Sequence, residues 1–188
     1  MRQIAHTIAY LHTAFSRPII HRGMTLKSFC LDQHDVPKLK DFSQSISIPE
    51  GKTHVKVDQV RGIVGFLCPS YWTTKIVTEK TDVYSFGMII LQLLTGHDAF
   101  TLLSLVSEDN NTCGNSFERQ KKLMDYFKNS AIDEIGDPAI LAEGGIGVEQ
   151  QLQAMRQLGL TCIEGDPEIR PTMVDVTKEL RRIERLIE

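Results

Sequence analysis

The stretch TEKTDVYSFGMIILQLLTG, residues 78–96, decides the fold. Val83, Phe86, Ile90 and Leu93 recur at steps of three and four, the period of one helix face. Met88, Ile89, Leu91 and Leu94 fill much of the remaining circumference. A helix apolar nearly all round has no face for water, so it belongs at the centre of a domain with other elements packed about it. Gly96 is placed to end it, because a left-handed closing residue is least strained without a Cβ.

Upstream, Ile4, Ile8, Leu11 and Phe15 predict an amphipathic helix over 2–15, stopped by Pro18. Short β runs are expected at 29–31 and 36–39, the second weakened by Pro37. Residues 43–66, rich in Ser, Thr, Gly and Lys, read as a long irregular segment of the kind that is either functional or disordered. Downstream, SEDNNTCGNS from Ser107 reads as a surface loop, 117–128 as helix and GDPAILAEGGIG (136–147) as mostly loop. Two further helices are expected over 150–163 and 171–187. In the last, Met173, Val176, Leu180, Ile183 and Ile187 hold one face, and Arg181, Arg182 and Arg185 form a solvated face rather than a phosphate-binding patch.

The expectation is a mainly α fold with a little β, and 188 residues suit one domain, 1–188, with a substantial core. With 41% hydrophobic and 24% charged residues the chain is neither disordered nor membrane-embedded, and no transmembrane segment is expected. A formal charge of -3 offers no basic footprint for nucleic acid. Cys30, Cys68, Cys113 and Cys162 lie far apart and form no C-x-x-C pair, so neither a metal site nor a disulfide framework is expected and a reducing compartment is the default. The N-terminus has no signal-peptide pattern, and Asn110-Asn111-Thr112 is read as a chance glycosylation match. A cytoplasmic location follows as the expectation, with attachment at the plasma membrane only through partners.

Five further motifs occur in order. They are HRGMTLKSFCLD (21–32), KLKDFS ending at Ser43, SIPEGKTHV, GIVGFLCPSY ending at Tyr71, and DPEIRPTMVDVTKELRRIER from Asp166. With the 78–96 helix they resemble the C-terminal lobe of plant receptor-like kinases, especially the wall-associated type. The first is similar to the catalytic loop H-R-D-L-x-x-x-N, and Asp41-Phe42-Ser43 to D-F-G. More narrowly, the chain resembles the plant pseudokinases related to the one required for recognising the HopZ bacterial effector. The resemblance implies a mainly α, protein-kinase-like C-terminal lobe with an activation segment at 41–70. It also implies that Met1 falls inside the helix before the catalytic loop, with the β-rich N-terminal lobe, its phosphate loop and its lysine absent from this chain.

The same resemblance assigns lost roles. The catalytic base falls at Gly23, the phosphate-steadying lysine at Thr25, the metal-holding asparagine at Ser28 and the supporting threonine at Ile63. These four belong to one polar network, whose members act as a unit. Losing a general base alone typically costs about a hundred- to ten-thousand-fold in rate. Asp41 is either a residual magnesium ligand or a capping aspartate. His21, Arg22, Phe42 and Asp82 match structural positions. Asp82 is expected to accept backbone hydrogen bonds from the 21–32 loop, and Arg22 to act as a structural donor where active relatives pair it with a phosphate. Ser70 stands where a glutamate pairs with the arginine found here at Arg170. That leaves Arg170 to find another acceptor or open to water.

A non-catalytic adaptor, or pseudokinase, is therefore expected, with no cofactor. As the resemblance implies, its protein partners would be a coiled-coil NLR immune receptor, receptor-like cytoplasmic kinases and pathogen effectors. The alternatives are a fragment of an active serine/threonine receptor-like kinase and a decayed gene product. A docking strip is expected where Lys52, Thr53, His54, Lys56 and Arg61 interleave with Val55, Val57 and Val60.

Overall fold

The computed structural model describes residues 1–63, 65–106, 116–142 and 145–186. Chain order begins with α1 (Arg2–Thr13), β1 (Ile19–Ile20), β2 (Phe29–Leu31), β3 (Pro37–Leu39), β4 (Ile46–Ser47) and β5 (Val55–Lys56). It continues with α2 (Pro69–Thr74), β6 (Ile76–Val77), α3 (Glu79–Thr95) and α4 (Ala99–Leu105). The remaining helices are α5 (Ser116–Asn129), α6 (Ile132–Ile135), α7 (Pro138–Ala142), α8 (Ile146–Cys162) and α9 (Met173–Glu184).

The 78–96 stretch is the central helix α3. Thr78 opens it with a capping box: its side chain accepts from the Lys80 N–H at 3.1 Å, and the Thr81 hydroxyl accepts from the Thr78 N–H at 3.3 Å. Phe86, Met88, Ile89, Ile90 and Leu91 have no exposed surface. Burying side chains of this size stabilises by about 1.5–3 kcal/mol each. Leu93, expected on the buried face, is instead 39% exposed at the last turn, and Gly96 closes the helix at φ +69°.

α8 lies against α3 at two glycines. A Cβ on Gly87 would stand 2.6 Å from the Cys162 Cβ, and one on Gly159 would stand 2.8 Å from Leu91 Cδ2. The missing side chains let the helices approach closely. α9 packs its Met173, Val176, Leu180 and Ile183 face toward α1 and α8, and Arg181, Arg182 and Arg185 face water. Ile187 lies outside the described residues.

α1 buries Ala5, Ile8, Ala9, Leu11 and His12. Phe15, expected on that stripe, is exposed, because the helix ends at Thr13 and residue 15 leaves its period. The ring packs edge-on to Tyr10 with centroids 5.6 Å apart.

The strands form three antiparallel pairs: Ile20↔Ile46 in β1–β4, Phe29↔Leu39 in β2–β3 and Val55↔Val77 in β5–β6. Pro37 is tolerated because it opens β3, in a pair with a free outer edge. Apart from β4, β5 and the 3-10 turn Phe42–Gln44, the described residues of the 43–66 segment are irregular, as expected. The loop reading of 136–147 needs correction, since α7 occupies 138–142 and α8 begins at Ile146 rather than at 150. Short helices contain too few turns to show a period. Their signals are the caps: Pro69 and Pro138 stand first in α2 and α7, and the Asp98 carboxylate accepts from the Thr101 N–H at 2.7 Å. The loop from Ser107 lies outside the described residues up to position 115. No single helix among the described residues is long and apolar enough to cross a membrane.

Candidate functional site

Asp82 organises the 21–32 loop. It sits in the first turn of α3, where unpaired N–H dipoles favour a carboxylate. Its Oδ2 accepts from the His21 N–H at 2.8 Å and its Oδ1 from the Arg22 N–H at 2.9 Å. His12 of α1 places Nε2 3.0 Å from Oδ2. A fully buried carboxylate is unfavourable unless its oxygens are engaged, and these contacts engage both. The same grip holds Arg22 in the left-handed region at φ +62°, which a non-glycine residue keeps only where its surroundings over-determine it. Sequence reasoning missed His12. Its only signal was a polar residue directly after Leu11 on the buried stripe.

The loop then closes on itself. The Ser28 hydroxyl accepts from the Thr25 N–H at 3.1 Å and donates to the Gly23 carbonyl at 3.3 Å. Thr25 Oγ1 accepts from the Lys27 N–H at 3.2 Å, and Thr25 and Ser28 are both buried. Gly23 offers no side chain, and Gln44 lies over it: a Cβ at 23 would meet Gln44 Cγ at 3.0 Å. Ile63 is 47% exposed, and beside it Gly62 holds φ +149° with its Cβ position 3.2 Å from the Arg22 carbonyl. The structure thus gathers Gly23, Thr25 and Ser28 into one turn, while the Ile63 side chain faces solvent.

Asp41 Oδ1 accepts from the Ser43 hydroxyl at 2.6 Å and the Ser43 N–H at 3.3 Å, which caps the 3-10 turn Phe42–Gln44. The Ser43 hydroxyl, then its amide, hold the Asp41 carboxyl below the usual carboxylate range. Phe42 is exposed, yet packs edge-on to the buried His21 ring, centroids 5.2 Å apart. Both candidate metal ligands already have partners within the chain. The Ser28 hydroxyl is committed inside its turn and Asp41 is turned to Ser43. No group of three His, Cys, Asp or Glu among the described residues could hold a metal ion.

Arg170 finds other acceptors. It is 1% exposed, with Nε donating to the Glu164 carbonyl at 2.6 Å and Nη2 to the Gly165 carbonyl at 3.3 Å. Nη1 donates to Cys68 Sγ at 2.8 Å and to the Lys80 carbonyl at 3.2 Å. The guanidinium lies 5.1 Å from the Tyr84 ring centroid, and Ser70 Oγ is 2.9 Å from Cys68 Sγ. Burial pushes the Tyr84 hydroxyl well above its ordinary range. Cys68, to which the sequence reading gave no role, is one of the acceptors of Arg170 and a neighbour of Ser70.

The expected docking strip divides into two faces. Lys52, Thr53, His54, Lys56 and Arg61 are exposed, but Val55, Val57 and Val60 are partly buried and packed against the core. Pairing of β5 with β6 turns Val55 inward and Lys56 outward. The exposed side presents Lys52, Lys56 and Arg61 together with polar residues and Asp58, without the valines. A groove of about 540 Å³ lies elsewhere, lined by Arg2, His6, Thr7, Lys38 and Thr177, and none of the candidate residues reaches it.

Residues 1–180 match the protein kinase domain family. The chain belongs to the protein kinase family. It is 39% identical to the non-functional pseudokinase ZRK2 of Arabidopsis thaliana, over 98% of this chain and 50% of that protein. It is 38% identical to the serine/threonine-protein kinase ZRK1 of the same plant, over 97% of this chain and 50% of that protein. Wall-associated receptor kinase 4, also from Arabidopsis thaliana, is 32% identical over 96% of this chain and 23% of that protein. The chain spans about half the length of the curated pseudokinase relatives it matches. The part it spans is the mainly α C-terminal kinase lobe, with its few short strands, as the motifs implied.

Proposed function

We propose that this kinase lobe is a non-catalytic interaction module, an adaptor in plant immune signalling that engages an NLR receptor and receptor-like cytoplasmic kinases and is open to effector modification. One observation carries the reading: the turn that would hold a base, a lysine and a metal ligand spends its two hydroxyls on its own backbone. Phosphoryl transfer depends on positioned charge and metal, and that turn supplies neither. The name of ZRK2, a non-functional pseudokinase, supports the reading. The partner-facing surface we assign to Lys52, His54, Lys56 and Arg61, whose exposed lysine and arginine cations suit an acidic partner. Such a module would work in the cytoplasm, reaching the plasma membrane only through its partners.

The experiment is a pull-down of candidate receptor-like cytoplasmic kinases by the chain and by its Lys52→Glu/Lys56→Glu/Arg61→Glu variant. Binding by the parent and its loss in a folded variant supports the module and its surface. Absence of binding to every candidate kinase and receptor overturns the adaptor reading.

The second reading, part of an active serine/threonine kinase, draws on the name of ZRK1. Phosphate transfer from radiolabelled ATP to a generic protein substrate, measured on the protein encoded by the longest natural transcript, separates the two. Transfer above background would establish the second reading.

A further inference from the structure

The missing base and the conformation of the neighbouring segment are one structural feature. At position 23 a Cβ would lie 3.0 Å from Gln44 Cγ and 3.2 Å from Gln44 Cβ, so the Gln44 side chain seats where a side chain on the loop would begin. From the other side, buried Arg22 donates through Nε to the Gln44 carbonyl at 2.6 Å. Gln44 is thus gripped at its backbone by residue 22 and at its side chain by the bare surface of residue 23. Its Oε1 is buried without a partner among the described residues, so packing rather than a side-chain hydrogen bond seats it.

The flanking residues extend the grip. Asp41 caps the turn that carries Gln44, and the Ser45 hydroxyl donates to the Phe42 carbonyl at 2.6 Å. Beyond it, Ile46 pairs with Ile20, and the Ile48 N–H donates to the Pro18 carbonyl at 2.8 Å. The contacts on both sides of Gln44 are thus satisfied within the chain.

We infer that residues 41–48 are latched to the 21–28 loop without any phosphate, by an interlock in which Gly23 admits the Gln44 side chain and Arg22 holds its carbonyl. A side chain at 23 requires the Gln44 side chain to give by a few tenths of an ångström, which on this inference loosens the segment. Its significance rests on the non-catalytic reading, since a segment fixed in this way is a platform that needs no activation. The geometry stands independently of that reading.

The test is amide hydrogen exchange of the full chain, comparing Gly23→Ala, Gln44→Gly and the double variant with the parent. Overpacking by one methyl in a tight seat shifts a local opening equilibrium by roughly tenfold or more. Gly23→Ala should therefore raise exchange over 43–48 by about tenfold, with α3 amides unchanged. In the Gln44→Gly background, where both clashing carbons are gone, adding Gly23→Ala should cause no further change. Unaltered exchange in Gly23→Ala overturns the interlock. So does an equal increase in the Gln44→Gly background, or an increase spread evenly into α3. None of these outcomes bears on whether the chain binds a partner, so failure here and failure of the adaptor reading remain distinct.

Discussion

Arg170 and Cys68 stand 102 residues apart in sequence and meet in the core, guanidinium to sulfur, at 2.8 Å. Among the described residues no carboxylate pairs with this arginine, and backbone carbonyls and a thiol sulfur accept its hydrogen bonds instead. Removing one side of such an arrangement is more damaging than its net contribution suggests, because the other side stays buried.

Arg170→Met should therefore lower unfolding stability by about 3 kcal/mol or more, as orphaned carbonyls add to the lost donor. Cys68→Ser, which keeps an acceptor, should cost clearly less than Cys68→Val, which leaves Nη1 one partner short at about 1–3 kcal/mol. Urea unfolding midpoints of the three variants check the order. Equal losses for serine and valine would show that the sulfur contact contributes nothing.

The close crossing of α3 and α8 makes Gly87 a packing residue. Gly87→Ala places a methyl 2.6 Å from Cys162 Cβ, 2.8 Å from Ile163 Cγ2 and 3.0 Å from the Gly159 carbonyl. Better helix propensity for alanine contributes less than 1 kcal/mol, roughly, and overpacking costs about 1–3 kcal/mol. Net destabilisation is expected, read as a lower thermal midpoint.

Magnesium-ATP should not stabilise the chain. A ligand at a hundredfold excess over its dissociation constant would add about 2.7 kcal/mol, and the corresponding rise in melting temperature is expected to be absent at millimolar ATP. A magnesium-dependent shift would contradict the site geometry.

Gly23→Asp alone should yield no phosphotransferase activity. Members of a catalytic unit are strongly non-additive, and Thr25, Ser28 and Ile63 stay unrepaired. Radiolabel transfer to a generic substrate above the parent's background would refute this.

The capping aspartates give an acid dependence. Backbone and side-chain hydrogen bonds from Thr101 hold Asp98 below its ordinary 3.8, and the Thr172 side chain does the same for Asp175. A pKa lowered in the folded state contributes stability that is present above the unfolded value and lost as pH falls through the folded one. Melting temperature should thus fall on acidification below about pH 4. An Asp98→Asn/Asp175→Asn variant, which keeps cap acceptors without the titration, should fall less steeply. An unchanged slope would mean the caps titrate alike in both states.

By itself the sequence determined the parts governed by periodicity and local chemistry. The all-round apolar run from Val83 to Leu94 could only be a central helix, and the 173–183 stripe a surface one. That Gly23 brings no side chain and Ile63 no polar atom was equally plain, since residue identity alone settles it. Tertiary structure decided what contacts distant in sequence decide. His12 reaches Asp82 across 70 residues, Cys68 reaches Arg170, and Gln44 folds over Gly23. No local pattern encodes such meetings, because each partner sees the other only after α1 and α3 have packed. The 52–61 strip shows the same limit. Its alternation of valine and cation was visible in the chain, but pairing of β5 with β6 against the core settled which set faces water.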